Sequence, residues 1–362
     1  MVLDPGTTYV QDLHPSVAEL LGAHVGTLMR RPVAYLRYLL NVIRLRSEMG
    51  RGPGRVRWTF IPLLAQSVTR RESVALHAHF GWSGAAAGRL LSLLTGLPWS
   101  VTLHANDIFS DRRNLEFKLR RADRLITVCE YNLRWLREHL GLTRDVGIVV
   151  CGVELPDASE TSIEGADVVA VGRLVPKKGF DTLIHAAALV RAVLPDFTVD
   201  IIGDGECHDD LKRLVDELNL TDCVRLLGSR PHAETLGRIA GAKIFCLPCR
   251  VADDGDRDSM PVVIKEAMVR GTPIVSTNAV AVPEMLEQGC GLMSAPNDHR
   301  SLAESIMSLL TDPALRDRIV EAAHARAVAN FTLSGEVEKL RRQLVPAMSA
   351  PDRDGTPASP AP

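Results

Sequence analysis

A chain of 362 residues, 46% hydrophobic and 24% charged, is long enough for two soluble domains of ordinary size, each with its own core. A net charge of −2 supplies no field to draw a nucleic acid, and no such partner is expected. No apolar run has the length of a membrane span and Met1 opens no signal-peptide pattern, so a cytoplasmic protein is expected.

In chain order, residues 1–72 read as a helical, basic segment. PSVAELLGAHVGTLMRR and PVAYLRYLLNVIRLRSEM carry apolar residues at three- and four-residue spacing, Pro32 suits a first helical turn, and RGPGR ends the second helix. From Arg30 to Arg71 the arginines 30, 31, 37, 44, 46, 51, 55, 57, 70 and 71 face one acid, Glu48. That surface either lies on anionic lipid, at the inner face of the plasma membrane, or is the solvated side of core helices. From Ser73 short apolar runs alternate with helical patterns. VALHAHF, WSVTLHA, RLITV and DVGIVVCGV read as strands, with helices over Ser83–Thr95, Asn114–Arg121 and YNLRWLREHL between them. Residues 73–155 thus form a partial Rossmann-like domain, and Pro156 to Gly165 a linker. Residues 166–330 repeat the alternation more completely, with strands DVVAV, TVDIIG, VRLLG, KIFCLP, TPIVST and GLMSA. The rhythm implies parallel sheets with right-handed crossovers in an α/β protein. A terminal helix over 331–348 and a disordered, Pro-rich tail over 349–362 complete the reading.

The chemistry is expected where strands of an open α/β sheet end. Arg173 closes the strand of VVAVGRLVPKKGF and Lys178 opens the next helix, between Gly172 and Gly179. A guanidinium and an ammonium beside a helix start suit a diphosphate, although basic turns also occur without a ligand. Gly203-Asp204-Gly205 could offer backbone N–H groups to a phosphate, or be an ordinary strand-ending turn. Asp258 and Glu266, in DRDSMPVVIKEAM, form a carboxylate pair able to accept from vicinal hydroxyls. The competing readings are a flexible acidic loop for Asp258 and, for Glu266, a helix-start acid facing the dipole. His104 ends WSVTLHA with Asp107 in the short loop after it, where an imidazole can bond a sugar hydroxyl or shuttle a proton. His77 and His79 share one strand face without an evident third ligand. The seven cysteines stand singly, and the one close pair, Cys246 and Cys249, has no partner motif that completes a zinc site. Buried, reduced thiols and no metal are expected.

These motifs resemble the retaining, nucleotide-sugar-dependent glycosyltransferases of family 4, of the exopolysaccharide and colanic-acid type. LHAHFG, TLHANDIF, VCEYN and CGVE carry the likeness in the first half. VGRLVPKKG, IIGDGE, LLGSRPHAE, DGDRDSMPVVIKEAM and GTPIVST carry it in the second. It covers residues 73–330 and rests on several spaced motifs in order. The resemblance implies a GT-B fold of two facing Rossmann-like domains and a UDP- or GDP-linked sugar donor. It implies no metal or other cofactor and a lipid-linked or oligosaccharide acceptor. It makes Arg173 and Lys178 the diphosphate grips, Glu266 the ribose acid, Asp258 the acid at the transferred sugar, and His104 the histidine of the acceptor-side domain. Three departures accompany it. Asp258 stands where the family has Glu, Val280-Ala281 where it has two glycines, and no opening strand with a glycine-rich loop precedes VALHAHF. The N-terminal domain is therefore expected to lack its first βαβ portion, through a misplaced start codon or a deletion. An inactive, donor-binding partner subunit and a GT-B sugar-nucleotide epimerase are the alternative functions.

Overall fold

The structure is a computed structural model that describes residues 13–47, 57–110, 112–157 and 160–348, with side chains to residue 344. Arg51, Arg55, the RGPGR breaker and the tail expected to be disordered lie outside the described residues. The described chain divides into two compact units, one within Met1–Thr127, Leu136–Gly147 and Leu340–Pro362, the other within Val128–Trp135 and Ile148–Lys339.

The first unit begins with the two helices that the apolar spacing predicts. At the start of α1 (Val17–Arg30) the Ser16 hydroxyl accepts the Glu19 N–H at 3.2 Å, while the Glu19 carboxylate accepts the Ser16 N–H at 2.7 Å. Two of the N–H groups orphaned at this helix start are thereby satisfied. α2 (Pro32–Leu45) starts on Pro32. A third helix, α3 (Ile61–Arg70), was not evident in the sequence. It follows a 3₁₀ turn at Trp58–Phe60 and buries Ile61, Pro62 and Ala65. Tyr38, Val42 and Leu45 of α2 and Ile61 and Ala65 of α3 share one apolar cluster with Leu90 and Leu94 of α4 (Ser83–Thr95). The basic helical segment is therefore built onto the first α/β layer.

That layer is a four-stranded sheet of β1 (Leu76–His79), β2 (Trp99–Leu103), β3 (Arg124–Thr127) and β4 (Val146–Ile148), in chain order. β1 and β3 both run parallel to β2, and every residue of β2 is buried, as a strand covered on both faces requires. Two five-residue helices, α5 (Ala105–Phe109) and α6 (Leu115–Leu119), lie between β2 and β3, and α7 (Glu130–Leu140) follows β3.

The second unit holds a six-stranded sheet. Its strands are β5 (Val168–Val171), β6 (Val199–Ile202), β7 (Val224–Leu226), β8 (Ile244–Leu247), β9 (Ile274–Thr277) and β10 (Leu292–Ser294). The order is β10-β9-β8-β5-β6-β7 and all pairs are parallel. The order reverses between β5 and β8, which is the doubly wound pattern with its switch point at the end of β5. The helices are α8 (Phe180–Arg191), α9 (His208–Glu217), α10 (His232–Gly241), α11 (Val262–Val269), α12 (Val282–Leu286), α13 (His299–Thr311) and α14 (Pro313–Asn330), while α15 (Leu333–Met348) belongs to this unit up to Lys339 and to the first unit from Leu340. All seven cysteines are free thiols, and Cys246 and Cys249 are buried with burial pushing the Cys249 thiol up to about 12.

Candidate functional site

The carboxyl end of β5 is shaped by close backbone approaches. Gly179 has φ +68°, and a side chain there would meet the Pro248 carbonyl oxygen at 2.1 Å, so the turn lies against the end of β8. Gly203, at φ +145°, would bring a side chain within 1.9 Å of the Gly172 carbonyl oxygen. Only glycine fits either place. The Gly203 N–H donates to the Gly228 carbonyl at 3.0 Å and the Gly205 N–H to the Asp204 carboxylate at 2.8 Å. The phosphate-facing N–H expected of Gly203 is thus already committed, and the residue acts by letting two loops touch. Lys178 does not open α8; it ends a 3₁₀ turn over Pro176–Lys178, and α8 begins at Phe180.

Lys178 and Asp258, far apart in sequence, meet there. Lys178 Nζ stands 2.6 Å from Asp258 Oδ2, and Lys177 Nζ stands 3.3 Å from Asp258 Oδ1 and 3.0 Å from Asp256 Oδ2. Burial alone would lower the Lys178 pKa, but the Asp258 charge and hydrogen bond outweigh it and raise it. Burial likewise pushes Asp258 up, and the two ammonium groups overcome it and hold the carboxyl below its ordinary value. Asp258 is therefore fixed between two cations, and the flexible-loop reading is set aside. Lys177, which sequence reasoning passed over, is the more buried of the lysine pair. The KK doublet was its one sequence signal.

A cavity of about 650 Å³ opens beside this cluster, lined in part by Arg173, Lys177, Glu206, Arg250 and Asp256. Arg250 is occupied, donating to Asp181 at 2.8 Å, Asn297 at 3.0 Å and the Pro176 carbonyl at 2.8 Å. Lys177 is held by its aspartates. Arg173 is exposed and has no ion pair among the described residues, so its guanidinium is the cation left to meet a ligand.

Glu266 lines a second cavity, of about 670 Å³, with His232, Leu236, Val262 and Arg270. It lies in the middle of α11, not at its start, so the helix dipole does not account for it. Burial raises its pKa, opposed by His232, Arg270 and Lys265. The structure thus joins Lys178 to Asp258, sets Arg173 beside them, and gives Glu266 a cavity of its own. The neighbouring Lys265 is fully buried, donates to the Cys151 carbonyl and has its pKa lowered by burial to about 8. Val280, which stands where the resemblance expects glycine, holds φ +54°, a strained conformation for a β-branched residue. One further feature went unread: Glu284 accepts the N–H groups of Glu130 at 2.9 Å and Tyr131 at 2.7 Å.

His104 belongs to the first unit. The loop expected after it is α5, with His104 at the N-cap and its N–H donating to the Asp107 carboxylate at 2.8 Å. Burial, then the charge of His79, pushes the His104 pKa down to about 4. Its Nε2 is buried without a hydrogen-bond partner, and its ring lies 4.5 Å from that of Phe80, centroid to centroid. His77 bonds to Ser100 Oγ at 2.7 Å and Thr102 Oγ1 at 3.2 Å. Both of its ring nitrogens are thereby engaged by hydroxyl groups of β2. Among the described residues no group of three or more His, Cys, Asp or Glu side chains could hold a metal ion.

Comparison with known proteins follows the division of the chain. A model of glycosyltransferase family 4 matches residues 7–156, and a model of glycosyl transferases group 1 matches residues 156–326. The amylovoran biosynthesis glycosyltransferase AmsK of Erwinia amylovora is 31% identical over 268 residues, covering 70% of this chain and 65% of AmsK. The alpha-D-kanosaminyltransferase of Streptomyces kanamyceticus is 26% identical over 303 residues, 75% of this chain and 77% of that protein. The chain thus spans just under two thirds of the length of AmsK. Among solved structures, Anabaena Alr3699/HepE in complex with UDP-glucose superposes with a TM-score of 0.68 at 20% identity, covering 92% of this chain and 97% of that one.

Proposed function

Because the chain belongs to the family 4, group 1 glycosyltransferases, with their GT-B fold, we propose that it moves a sugar from a nucleotide-diphosphate sugar to a lipid-linked or oligosaccharide acceptor. The product would be an exopolysaccharide or cell-surface glycan, formed with retention at the anomeric carbon. One observation carries the reading. At the switch-point end of β5, Arg173 stands without an ion pair among the described residues, beside a buried Lys–Asp–Lys cluster. Positive charge held in place before the ligand arrives is what a departing diphosphate needs, since no reorganisation is then required as its charge grows.

In this reading Arg173 grips two phosphate oxygens with its planar fork. Lys178 spends one of its three donors on Asp258 and offers the others to the diphosphate. Asp258 orients that ammonium and reaches toward the transferred sugar. Glu266 accepts from the ribose hydroxyls, with the base beside His232 and Leu236. These cations supply the charge that a metal would otherwise bring, and no metal is assigned a role. His104, neutral at cellular pH, serves the acceptor as a hydrogen-bond partner through Nε2. HepE has been solved with UDP-glucose, which supports a UDP-linked donor. The protein would work at the cytoplasmic face of the plasma membrane, drawn there by the arginines of residues 30–71.

Calorimetric titration of UDP, GDP and ADP into the purified chain and into Arg173→Ala tests this. One diphosphate should bind selectively, and the variant should lose about 1.5–3 kcal/mol of its binding energy, the range for hydrogen bonds to charged groups. Equal binding by parent and variant removes Arg173 from the site, and no binding by a folded parent sinks the donor assignment.

A further inference from the structure

The first two helices each carry two apolar stripes, and only one of them is used. On α2, Tyr38, Val42 and Leu45 enter the core shared with α3 and α4. On the rest of that helix Val33, Leu36, Leu40 and Ile43, at three- and four-residue spacing, are each at least 60% exposed. α1 repeats the pattern. Ala23 is buried, while Val17, Leu21, Val25 and Leu28 stay exposed at the same spacing. Scattered exposed apolar side chains need no explanation, but two periodic stripes on adjoining helices form a patch of the kind that marks an interaction surface.

Charge says what covers it. Between Val17 and Arg46 the one acid is Glu19, already engaged at its helix cap, whereas Arg30, Arg31, Arg37, Arg44 and Arg46 are all exposed. Trp58, 40% exposed and packed edge-on against His24, adds an amphipathic ring of the kind that sits at headgroup level. Each helix has 14 residues, about 21 Å at 1.5 Å per residue, against roughly 30 Å of hydrocarbon. They can lie in the interface but not cross it, and no described helix is long and apolar enough to span a membrane.

We propose that α1 and α2 form a bilayer-docking surface, the two apolar stripes entering the acyl boundary while the arginines engage anionic headgroups. This deepens the membrane placement proposed above and rests on it, but it is independent of the donor site. The face would hold the protein where a lipid-linked acceptor is presented.

The test is co-sedimentation of the full chain with vesicles of phosphatidylglycerol and phosphatidylcholine in equal parts, and with phosphatidylcholine alone. The parent should pellet with the anionic vesicles and lose that binding as salt rises. The Leu36→Asp/Leu40→Asp pair should partition roughly tenfold less, since it places charge in the apolar stripe. Arg37→Glu/Arg46→Glu should abolish the preference for anionic over neutral vesicles. All four positions concerned are exposed, and circular dichroism confirms that each variant is folded. A parent that stays in the supernatant, or a Leu36→Asp/Leu40→Asp variant that pellets like the parent, overturns the proposal. So does a dimer, seen by light scattering, that the same variant dissolves, since a second copy would then cover the face. Nucleoside diphosphate titration of the same samples reports the donor site separately.

Discussion

Asp258 compensates Lys178 inside the protein, and that sets what its removal does. In Asp258→Asn, Lys177 keeps Asp256, but Lys178 becomes a buried ammonium without its partner. Breaking one side of such a pair costs about 3–5 kcal/mol. A loss near 3 kcal/mol is expected in denaturant unfolding at pH 7, because both side chains retain some solvent contact. Saturating nucleoside diphosphate should raise the melting temperature of this variant more than that of the parent, since the phosphates replace the missing charge. Equal shifts would detach the lysine from the ligand. The pair's contribution does not vary near neutrality. The depressed Asp258 pKa gives stability present above the ordinary carboxylate value and lost as pH falls through the lower folded one. The raised Lys178 pKa gives stability present below the ordinary lysine value and lost as pH rises through the higher folded one.

At the scale of elements, β1 and the start of α5 carry the pH response. His77 and His104 both titrate near 4 rather than 6.5, chiefly because burial disfavours the imidazolium. Between those values the unfolded chain binds more protons than the folded one, so stability rises with pH from about 4 to 6.5 and is lost on acidification through that window. His77→Gln keeps a hydrogen-bonding side chain beside Ser100 and should flatten part of the slope, measured as unfolding free energy at pH 4.5 and 7. The elements themselves were unequally legible. β5 and β8 are unbroken apolar runs, and β6 and β9, though they carry Asp200, Ser276 and Thr277, are equally buried, which is why the parallel sheets could be found in the sequence. α3 and α5 are short, and their apolar residues follow no long period. The site shows the same limit. Arg173, Lys178, Asp258 and Glu266 were all picked out by residue type and spacing. The pairing of Lys178 with Asp258, the bracing by Lys177 and the separate cavity of Glu266 depend on chain crossings that no local pattern encodes.

For the whole molecule, the two proposed ligands belong to different cores. Arg173, Lys178, Asp258 and Glu266 all lie in the unit that surrounds the six-stranded sheet, whereas α1 and α2 share an apolar cluster with α3 and α4 in the other. A ligand that binds only folded protein stabilises the part it touches, by about 2.7 kcal/mol at a hundred times its dissociation constant. Hydrogen exchange reads that stabilisation segment by segment. With saturating nucleoside diphosphate, amides from Gly172 to Phe180 and within α11 should slow, while those of α1 and α2 should not change. With anionic vesicles the pattern should reverse, α1 and α2 becoming protected and α11 unaffected. Slowing in both regions with either ligand would show that the units unfold as one.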